Sequence, residues 1–580
     1  MMITIVAFVQ FLLALVYLSI FIGWGVILNK YLRVKIDSAF ERIFFLSILG
    51  ISFVILFITL LGLLGIFYNF FVFILLIGLV GLRKFKITIV ELKWTSLMLG
   101  ILFPIMVLTL YPATRWDDIS YHLPIAQSLL IHHKIIFQEF IRYPVFPING
   151  EIFFSIGLAL NQQTAQLMSW LALFLLSLGC FCIVERKFSK IYGLLSYLLL
   201  LSNIIILILG TINYIDIVLS LFLTAGILAF VKYIDENNTK WIYLSGIFLG
   251  TAIGVKYTAA IICLLMCIIL FTITRNYKLL FKYGVLISII GIPWYIRNLI
   301  YTGNPVWPFL NSFFGDNFLW NASDYIGQYN DFKSHGIDKT LNNFLKIPWY
   351  LYKSEEGSFN VLIWIGLAFN IFFIKKKSSE KIMFIIVACY TLFWFLSVNL
   401  SRYYVPIMPT LCILSAFGFS YFLIQLNDKK IKYSFIGIFI IGLLLIQGTY
   451  INHRINDSGL PPIKTEEKES YLSVRLPTYK ATKIISEFSG TTYGLFNENM
   501  YYYGNQKLIG DWFGKGRYSE VLGILDKPKE LNKYLSSLGV NYFLVNKTRL
   551  SPVQFQNIKL DSSFKKIYED NNTLIYQLIK

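Results

Sequence analysis

The sequence is poor in charge, since only 14% of its 580 residues are Asp, Glu, Lys or Arg, against about 25% in soluble domains. It has no Gly-x-x-x-x-Gly-Lys-Ser/Thr motif, no Gly-x-Gly-x-x-Gly opening a helix and no Gly-x-Ser-x-Gly, so an ATP-driven pump and a serine hydrolase lack support. Its few cysteines all lie within apolar runs, so no disulfide framework is readable. Together with 57% hydrophobic residues, these absences exclude soluble, disordered and disulfide-rich classes.

Apolar runs of about 20 residues recur along the chain, and this is the length that crosses a bilayer. The stretch 43–82 carries no charge and is broken at Gly62, Gly65 and Asn69, so it predicts two spans joined by a tight turn. By hydropathy we predict roughly 13 to 14 spans. The predicted fold class is mainly α, a polytopic transmembrane helical bundle.

The formal net charge of +19 does not indicate a nucleic-acid partner, because the basic residues sit in short clusters between apolar runs. Such clusters orient helices in a membrane, with the basic loops in the cytoplasm. Every odd-numbered connection between predicted spans is basic, whereas the even-numbered ones are poor in Lys and Arg for their length. This alternation predicts that the odd-numbered connections are cytoplasmic. The basic clusters include Arg83-Lys84-Phe85-Lys86, Arg186-Lys187 and Lys375-Lys376-Lys377.

Three parts are predicted along the chain. Residues 1–93 form additional N-terminal transmembrane helices, and residues 94–450 form a core with external loops 113–163 and 298–357. Residues 451–580 are polar and predict a small extracytoplasmic α/β domain, with strands at 492–497, 542–546 and 573–578 and a helix at 529–538 that Gly539 ends. The predicted location is the cell (plasma or inner) membrane, with the active site outside.

Two adjacent acids, Asp117 and Asp118, open the first external loop directly after a span. They could simply begin a solvated loop or cap a helix at 119–131. The functional interpretation is a general base at the membrane surface that takes a proton from an attacking hydroxyl. In the same loop we take Tyr121, His122 and Arg142 as candidate substrate-binding residues.

Further ionisable residues mark the external ends of spans, where they usually face a cavity or a partner. Each alone is explained by snorkelling or by marking topology. Together they place acids and bases at one membrane level, which suits a phosphorylated lipid held by cations. These candidate substrate-binding residues are Asp216, Lys256, Arg297, Arg402 and Tyr403.

Three histidines, His122, His132 and His133, do not have a recognised metal-ligand spacing, so we predict no metal site and no cofactor. The loop has no Asp-x-Asp motif, which argues against an obligatory divalent cation but leaves a divalent cation possible.

Several short motifs resemble those of the GT-C superfamily of integral-membrane glycosyltransferases, especially protein O-mannosyltransferases and aminoarabinose transferases. Their order along the chain and their predicted extracytoplasmic location resemble the family as well. The resemblance covers roughly residues 94–450. The motifs are Trp116-Asp117-Asp118-Ile119-Ser120-Tyr121-His122-Leu123-Pro124, Tyr143-Pro144-Val145-Phe146-Pro147-Ile148-Asn149-Gly150-Glu151, Asn213-Tyr214-Ile215-Asp216, Gly254-Val255-Lys256-Tyr257, Pro293-Trp294-Tyr295-Ile296-Arg297-Asn298 and Arg402-Tyr403-Tyr404-Val405-Pro406.

The resemblance implies a polyprenyl-phosphate sugar donor and inversion at the anomeric carbon. By analogy Asp117 is the base, and Lys256, Arg297 and Arg402 contact the donor phosphate. The chain departs from the family pattern in having Asp118 where Glu is usual, and three spans before the first large loop.

Other function classes remain open at this point. A transporter or flippase for a lipid-linked saccharide, or an O-antigen-type polymerase or ligase, would also have many spans and external basic residues. The acceptor is a protein, a lipid or a glycan, and the sequence does not discriminate among them. Membrane lipids are the remaining expected partner.

Overall fold

The structure, a computed structural model, describes residues 2–67, 70–334, 336–372, 378–426, 428–505, 507–558 and 560–579. The basic cluster at 375–377 and the predicted break at Asn69 lie outside these described residues. The chain divides into two compact units, each made of three segments. The first unit contains Met1–Tyr111, Pro147–Pro293 and Phe332–Pro461, and the second contains Pro112–Phe146, Trp294–Asp331 and Pro462–Lys580. The three-part division expected from the sequence stays a prediction.

Within the described residues, nine helices are long and apolar enough to cross a membrane, which confirms a polytopic helical bundle. They are Met2–Leu32, Ala39–Leu64, Ile89–Leu110, Gln162–Lys187, Asp216–Glu236, Tyr277–Thr302, Ser378–Leu396, Ser401–Gln425 and Lys429–Ser458. Shorter apolar helices occupy the other predicted span positions. They are Phe70–Gly81, Lys190–Leu201, Ile204–Leu209, Lys240–Ile253, Ala259–Thr274 and Leu362–Phe372. Hydropathy predicted these as full spans because it does not register where a helix ends.

The first unit has a tightly packed interior. The Gln162–Lys187 helix is buried by its neighbours along its apolar length, and the Asp216–Glu236 helix nearly so. A Cβ atom on Gly418 would lie 1.9 Å from the carbonyl oxygen of Gly366. These two glycines therefore allow the backbones of two helices to touch, as small residues do in membrane proteins.

Ion pairs tie helix ends together at one end of the first unit. Lys232 Nζ lies 2.9 Å from Glu41 Oε2, and both side chains are buried. Arg186 pairs with Asp235 in the same network. Since these residues belong to three of the odd-numbered connections, the structure groups those connections at one end, as their shared basic character predicts.

The second unit contains a five-stranded sheet. Its strands are β1 (Thr491–Leu495), β2 (Leu508–Ile509), β3 (Val540–Asn546), β4 (Phe564–Glu569) and β5 (Thr573–Leu578). They lie in the order β2-β1-β3-β5-β4. Strand β1 is parallel to both of its neighbours, β2 and β3. Strand β5 is antiparallel to both of its neighbours, β3 and β4. The three predicted strands are confirmed, and so is the predicted helix, observed as Pro528–Ser537.

Helices cover both faces of this sheet, which makes it an α/β domain. Phe543 of β3 packs with Leu531 and Leu535 of the Pro528–Ser537 helix, whereas its neighbour Leu544 packs with Ile485 of the Tyr479–Glu487 helix. Alternate residues of β3 therefore serve opposite layers. The sequence did not predict β2, which has only two residues, or the lysine-rich edge strand β4.

The remaining helices are short. They are Leu123–His132, Asn149–Leu158, Asn311–Phe314, Ala322–Ser334, Leu341–Leu345, Ile347–Tyr352, Thr465–Arg475, Tyr518–Leu522 and Pro552–Gln556.

Candidate functional site

An ion pair joins two of the predicted residues in the first unit. Asp216 begins the Asp216–Glu236 helix, and Lys256 lies in the turn between the Lys240–Ile253 and Ala259–Thr274 helices. Lys256 Nζ donates to Asp216 Oδ1 at 2.9 Å and lies 4.0 Å from the centroid of the Tyr403 ring. The side chain of Asp216 is only 3% exposed, so the pair is largely removed from water.

A second cation shares the Tyr403 ring. The Cζ atom of Arg402 lies 5.5 Å from the Tyr403 ring centroid and 5.1 Å from that of Tyr214. Lys256 and Arg402 therefore flank one aromatic side chain, and cations are attracted to the faces of such rings. The structure thus brings together four of the predicted substrate-binding residues: Asp216, Lys256, Arg402 and Tyr403.

The end of the Tyr143–Glu151 motif lies in the first unit beside the turn that carries Lys256. The N–H of Asn149 donates to the carbonyl oxygen of Gly254 at 2.8 Å, and its Nδ2 donates to that of Thr251 at 3.0 Å. A Cβ atom on Gly150 would lie 2.5 Å from Cγ2 of Ile215. Glycine is required here because the backbone passes directly over the Asn213–Asp216 motif.

One acidic residue of this site was missed by the sequence analysis. Glu356 Oε2 accepts hydrogen bonds from the N–H of Arg402 at 3.0 Å and from Ser401 Oγ at 2.6 Å. Glu356 Oε1 lies 3.4 Å from Nε of Arg402. No sequence signal distinguishes Glu356 from the adjacent Glu355, because both follow a helix in a polar stretch.

The acidic pair of the first external loop lies in the second unit. Asp118 begins a five-residue π-helical turn, Asp118–His122, and is fully buried. The Tyr121 ring contacts the rings of His122 and Tyr143, with centroids 4.3 and 5.3 Å apart. Such turns are frequent at functional sites, and this one contains Asp118, Tyr121 and His122. Their predicted roles in catalysis and substrate binding stay predictions.

The polar tail holds this loop at three points. The N–H of Tyr502 donates to the carbonyl oxygen of Ile119 at 3.0 Å, and Tyr503 Oη donates to that of Ala113 at 2.7 Å. The Cζ atom of Arg549 lies 5.2 Å from a ring centroid of Trp116. The tail therefore packs on the loop that carries Asp117.

Charged residues of the tail are themselves firmly held. Arg549 binds the fully buried Glu498 through two hydrogen bonds, of 2.9 and 3.0 Å.

Burial raises the pKa of Tyr503, and among the smaller causes of this shift is the negative charge of Asp118. Tyr503 is thus a neutral phenol at physiological pH and keeps its proton for the bond to the loop.

Two other predicted substrate contacts have protein partners in the second unit. Arg142 Nη2 donates to Asp511 Oδ1 at 2.7 Å, and its guanidinium lies 5.2 Å from the Phe513 ring centroid. Burial raises the pKa of the Asp511 carboxyl, and the charge of Arg142 opposes that shift. Arg297 Nη2 donates to the carbonyl oxygen of Pro144 at 2.9 Å. Both arginines thus fix the shape of the first external loop, and their predicted substrate contacts stay predictions.

Among the described residues, no group of three or more His, Cys, Asp or Glu side chains is arranged to hold a metal ion. The expectations about a cofactor and a divalent cation stay predictions.

Two segments of the chain match known protein families. Residues 144–301 match the family model for dolichyl-phosphate-mannose-protein mannosyltransferase, and residues 467–577 match a family described as SF2091/S2213. The fold is similar to that of ArnT from Cupriavidus metallidurans in the apo state, with a TM-score of 0.54 and 14% identity over 84% of this chain and 98% of that chain. The chain is therefore similar to membrane glycosyltransferases of the GT-C superfamily in its fold and, over residues 144–301, in its sequence. The resemblance inferred from the motifs is thereby confirmed.

Two Shigella flexneri proteins are also similar to this chain. SF2093/S2215 is 34% identical over 20% of the chain, and SF2092/S2214 is 27% identical over 27% of it. The chain spans 62% of the length of the first relative and 81% of the second.

The segment that matches the mannosyltransferase family model contains three of the candidate residues: Asp216, Lys256 and Arg297. The paired acids lie before the segment, and Arg402 and Tyr403 lie after it. The family match therefore contains only some of the candidate site residues.

Proposed function

We propose that this protein is a membrane glycosyltransferase that moves a sugar from a polyprenyl-phosphate donor to an acceptor hydroxyl, with inversion. The observation that carries the proposal is the pair of cations, Lys256 and Arg402, that both lie near the Tyr403 ring in a GT-C-like fold. Cationic side chains make strong, charge-assisted bonds to phosphate. Because negative charge grows on the phosphate as it leaves, these bonds strengthen in the transition state and accelerate the reaction.

In this reaction the acceptor oxygen forms a bond to the anomeric carbon while the bond from that carbon to the phosphate oxygen breaks. The electron pair leaves with the polyprenyl phosphate, and Asp117 takes the proton of the acceptor hydroxyl. A single displacement of this kind inverts the anomeric carbon. Asp118, which begins the π-helical turn, is the second acidic residue of the proposed catalytic pair.

The proposed donor agrees with the predicted orientation of the chain. Nucleotide sugars are cytoplasmic compounds, whereas a lipid-linked sugar can be flipped to the outer side. Lys256, Arg402 and their partners belong to even-numbered connections, which the charge rule assigns to the extracytoplasmic side.

Incubation of the purified protein with a radiolabelled polyprenyl-phosphate sugar tests the proposal. We expect the label to move to an acceptor or to water. Transport of the intact lipid across a vesicle bilayer, with no cleavage, would instead support a flippase. Comparison of envelope glycans in a deletion strain then identifies the class of acceptor.

Replacing Arg402 with Ala should weaken donor binding by about tenfold to a hundredfold, since bonds to charged groups contribute about 1.5–3 kcal/mol. Binding of a polyprenyl-phosphate sugar to the detergent-solubilised variant measures the effect. Lys282→Ala, which removes an exposed lysine from an odd-numbered connection, is the matched control. Normal donor binding by Arg402→Ala, Lys256→Ala and Arg297→Ala would place the phosphate site elsewhere.

Cysteine labelling tests the orientation. Ser323 and Ser519 in the second unit and Ser378 in an odd-numbered connection are all exposed, so a cysteine at each is open to reagent. In intact cells, a membrane-impermeant thiol reagent should label cysteines at 323 and 519 but not at 378. Permeabilised cells, in which all three react, provide the control. The reverse pattern would invert the topology and contradict the lipid-donor argument.

A further inference from the structure

The Ser401–Arg402 segment is arranged to bind an anion, and a carboxylate of the chain occupies it. Glu356 Oε2 accepts from Ser401 Oγ at 2.6 Å and from the N–H of Arg402 at 3.0 Å. Ser354 Oγ also donates to Ser401 Oγ at 2.6 Å, which orients the Ser401 hydroxyl towards Glu356. A hydroxyl, a main-chain N–H and a guanidinium are donors that suit phosphate as well as carboxylate.

Each cation near Tyr403 is paired with an acidic side chain. Lys256 pairs with Asp216, and Arg402 pairs with Glu356. The positive charge expected to attract a phosphate is therefore already engaged by carboxylates of the protein. A phosphate that binds these cations has to displace an acidic side chain or share its donors.

The two acids differ in how readily they can be displaced. The side chain of Asp216 is 3% exposed and that of Glu356 is 35% exposed. Removing the partner of a buried charge is strongly unfavourable, and this cost is smaller for a charged group that is in part exposed to water. Glu356 is therefore the acid that can leave its cation and enter water.

The backbone around Glu356 is fixed, so this exchange needs only a side-chain rotation. Gly357 has a φ of +132°, and a Cβ atom there would lie 2.8 Å from the backbone of Ile205. The N–H of Ile204 donates to the carbonyl oxygen of Ser358 at 3.1 Å, and that of Phe359 donates to Leu351 at 3.2 Å. These contacts on both sides keep the carboxylate within reach of Arg402.

We propose that Glu356 is an internal competitor of the donor phosphate, and that Ser401 Oγ and the N–H of Arg402 are ligands of that phosphate. This inference rests on the proposed function. Binding of the phosphate displaces the Glu356 carboxylate. After the sugar is transferred, the returning carboxylate displaces polyprenyl phosphate from Arg402 and thereby promotes release of the product.

The test measures the dissociation constant of polyprenyl phosphate for the full-length protein and its variants. Glu356→Gln should bind polyprenyl phosphate about three- to fivefold more tightly, the effect expected from removing one partly exposed competing charge. Glu355→Gln removes the same charge from the adjacent, exposed residue and should bind like the unaltered protein. Ser401→Ala should bind more weakly, because it removes a phosphate ligand.

Glu356→Asp provides a second variant that keeps the charge but shortens the reach, so its affinity should lie between those of the unaltered protein and Glu356→Gln. Equal or weaker binding by Glu356→Gln, or equal tightening by Glu355→Gln, would overturn the inference and leave the proposed function intact. No binding of polyprenyl phosphate by the unaltered protein would overturn both.

Discussion

Replacing Asp117 with Asn is expected to lower the rate of sugar transfer by about 10²–10⁴-fold, the usual contribution of a positioned general base. The amide has nearly the same shape as the carboxylate but cannot accept the proton of the attacking hydroxyl. Donor binding should be unchanged, because Asp117 is not assigned to the phosphate. Single-turnover transfer at saturating donor measures the chemical step directly.

Two comparisons separate this role from a structural one. Asp316→Asn changes an exposed acid of the second external loop and should leave the rate unchanged. Asp118→Asn alters the fully buried acid at the start of the π-helical turn and should lower thermal stability as well as rate. Near-normal turnover by Asp117→Asn would remove Asp117 from the mechanism and make Asp118 the candidate base.

The grouping of Asp216, Lys256 and Arg402 could be predicted because helix ends on one side of a membrane share a level. The alternation of basic loops assigns all three residues to the same side of the membrane, and each of their motifs lies at the end of a predicted span. The structure then adds what the order cannot give, namely the Tyr403 ring that Lys256 and Arg402 share.

Contacts between distant parts of the chain could not be predicted. Arg142 pairs with Asp511, which is 369 residues away in the sequence, and no local pattern marks that partner. Glu356 was missed for the same reason, because its importance comes only from its contact with Ser401 and Arg402. A single sequence reports periodicity and composition well, but it does not report which polar residues meet.

The contact between Trp116 and Arg549 connects the tail to the residue directly before Asp117. Arg549 is held in place by Glu498, which also accepts bonds from Tyr518 Oη at 2.8 Å and Trp512 Nε1 at 3.0 Å. Because Glu498 is fully buried and fully bonded, it gives Arg549 a rigid support. The bonds from Tyr502 and Tyr503 hold the loop on either side of Asp117, so the tail restricts where that carboxylate can lie.

Replacing Arg549 with Ala should therefore lower the transfer rate by about 10²-fold, because a displacement of about 1 Å at a catalytic group has an effect of that size. Dissociation constants for the donor should stay within about twofold, since the change is in the position of the base. Trp116→Leu should have a similar effect while it leaves the bonds between Arg549 and Glu498 intact. The double variant should be no slower than either single one, because both changes remove the same contact.

Arg517→Ala is the matched control for the tail, because Arg517 pairs with Asp324 at 2.8 Å and not with a residue of the Asp117 loop. It should lower stability without a large change in the rate per folded molecule. Arg549→Lys keeps a charge beside Glu498 but loses the two-bond geometry, so it should restore stability more fully than rate. If the effects of Trp116→Leu and Arg549→Ala add, or if donor binding falls in parallel with rate, the tail supports the domain as a whole and does not position Asp117.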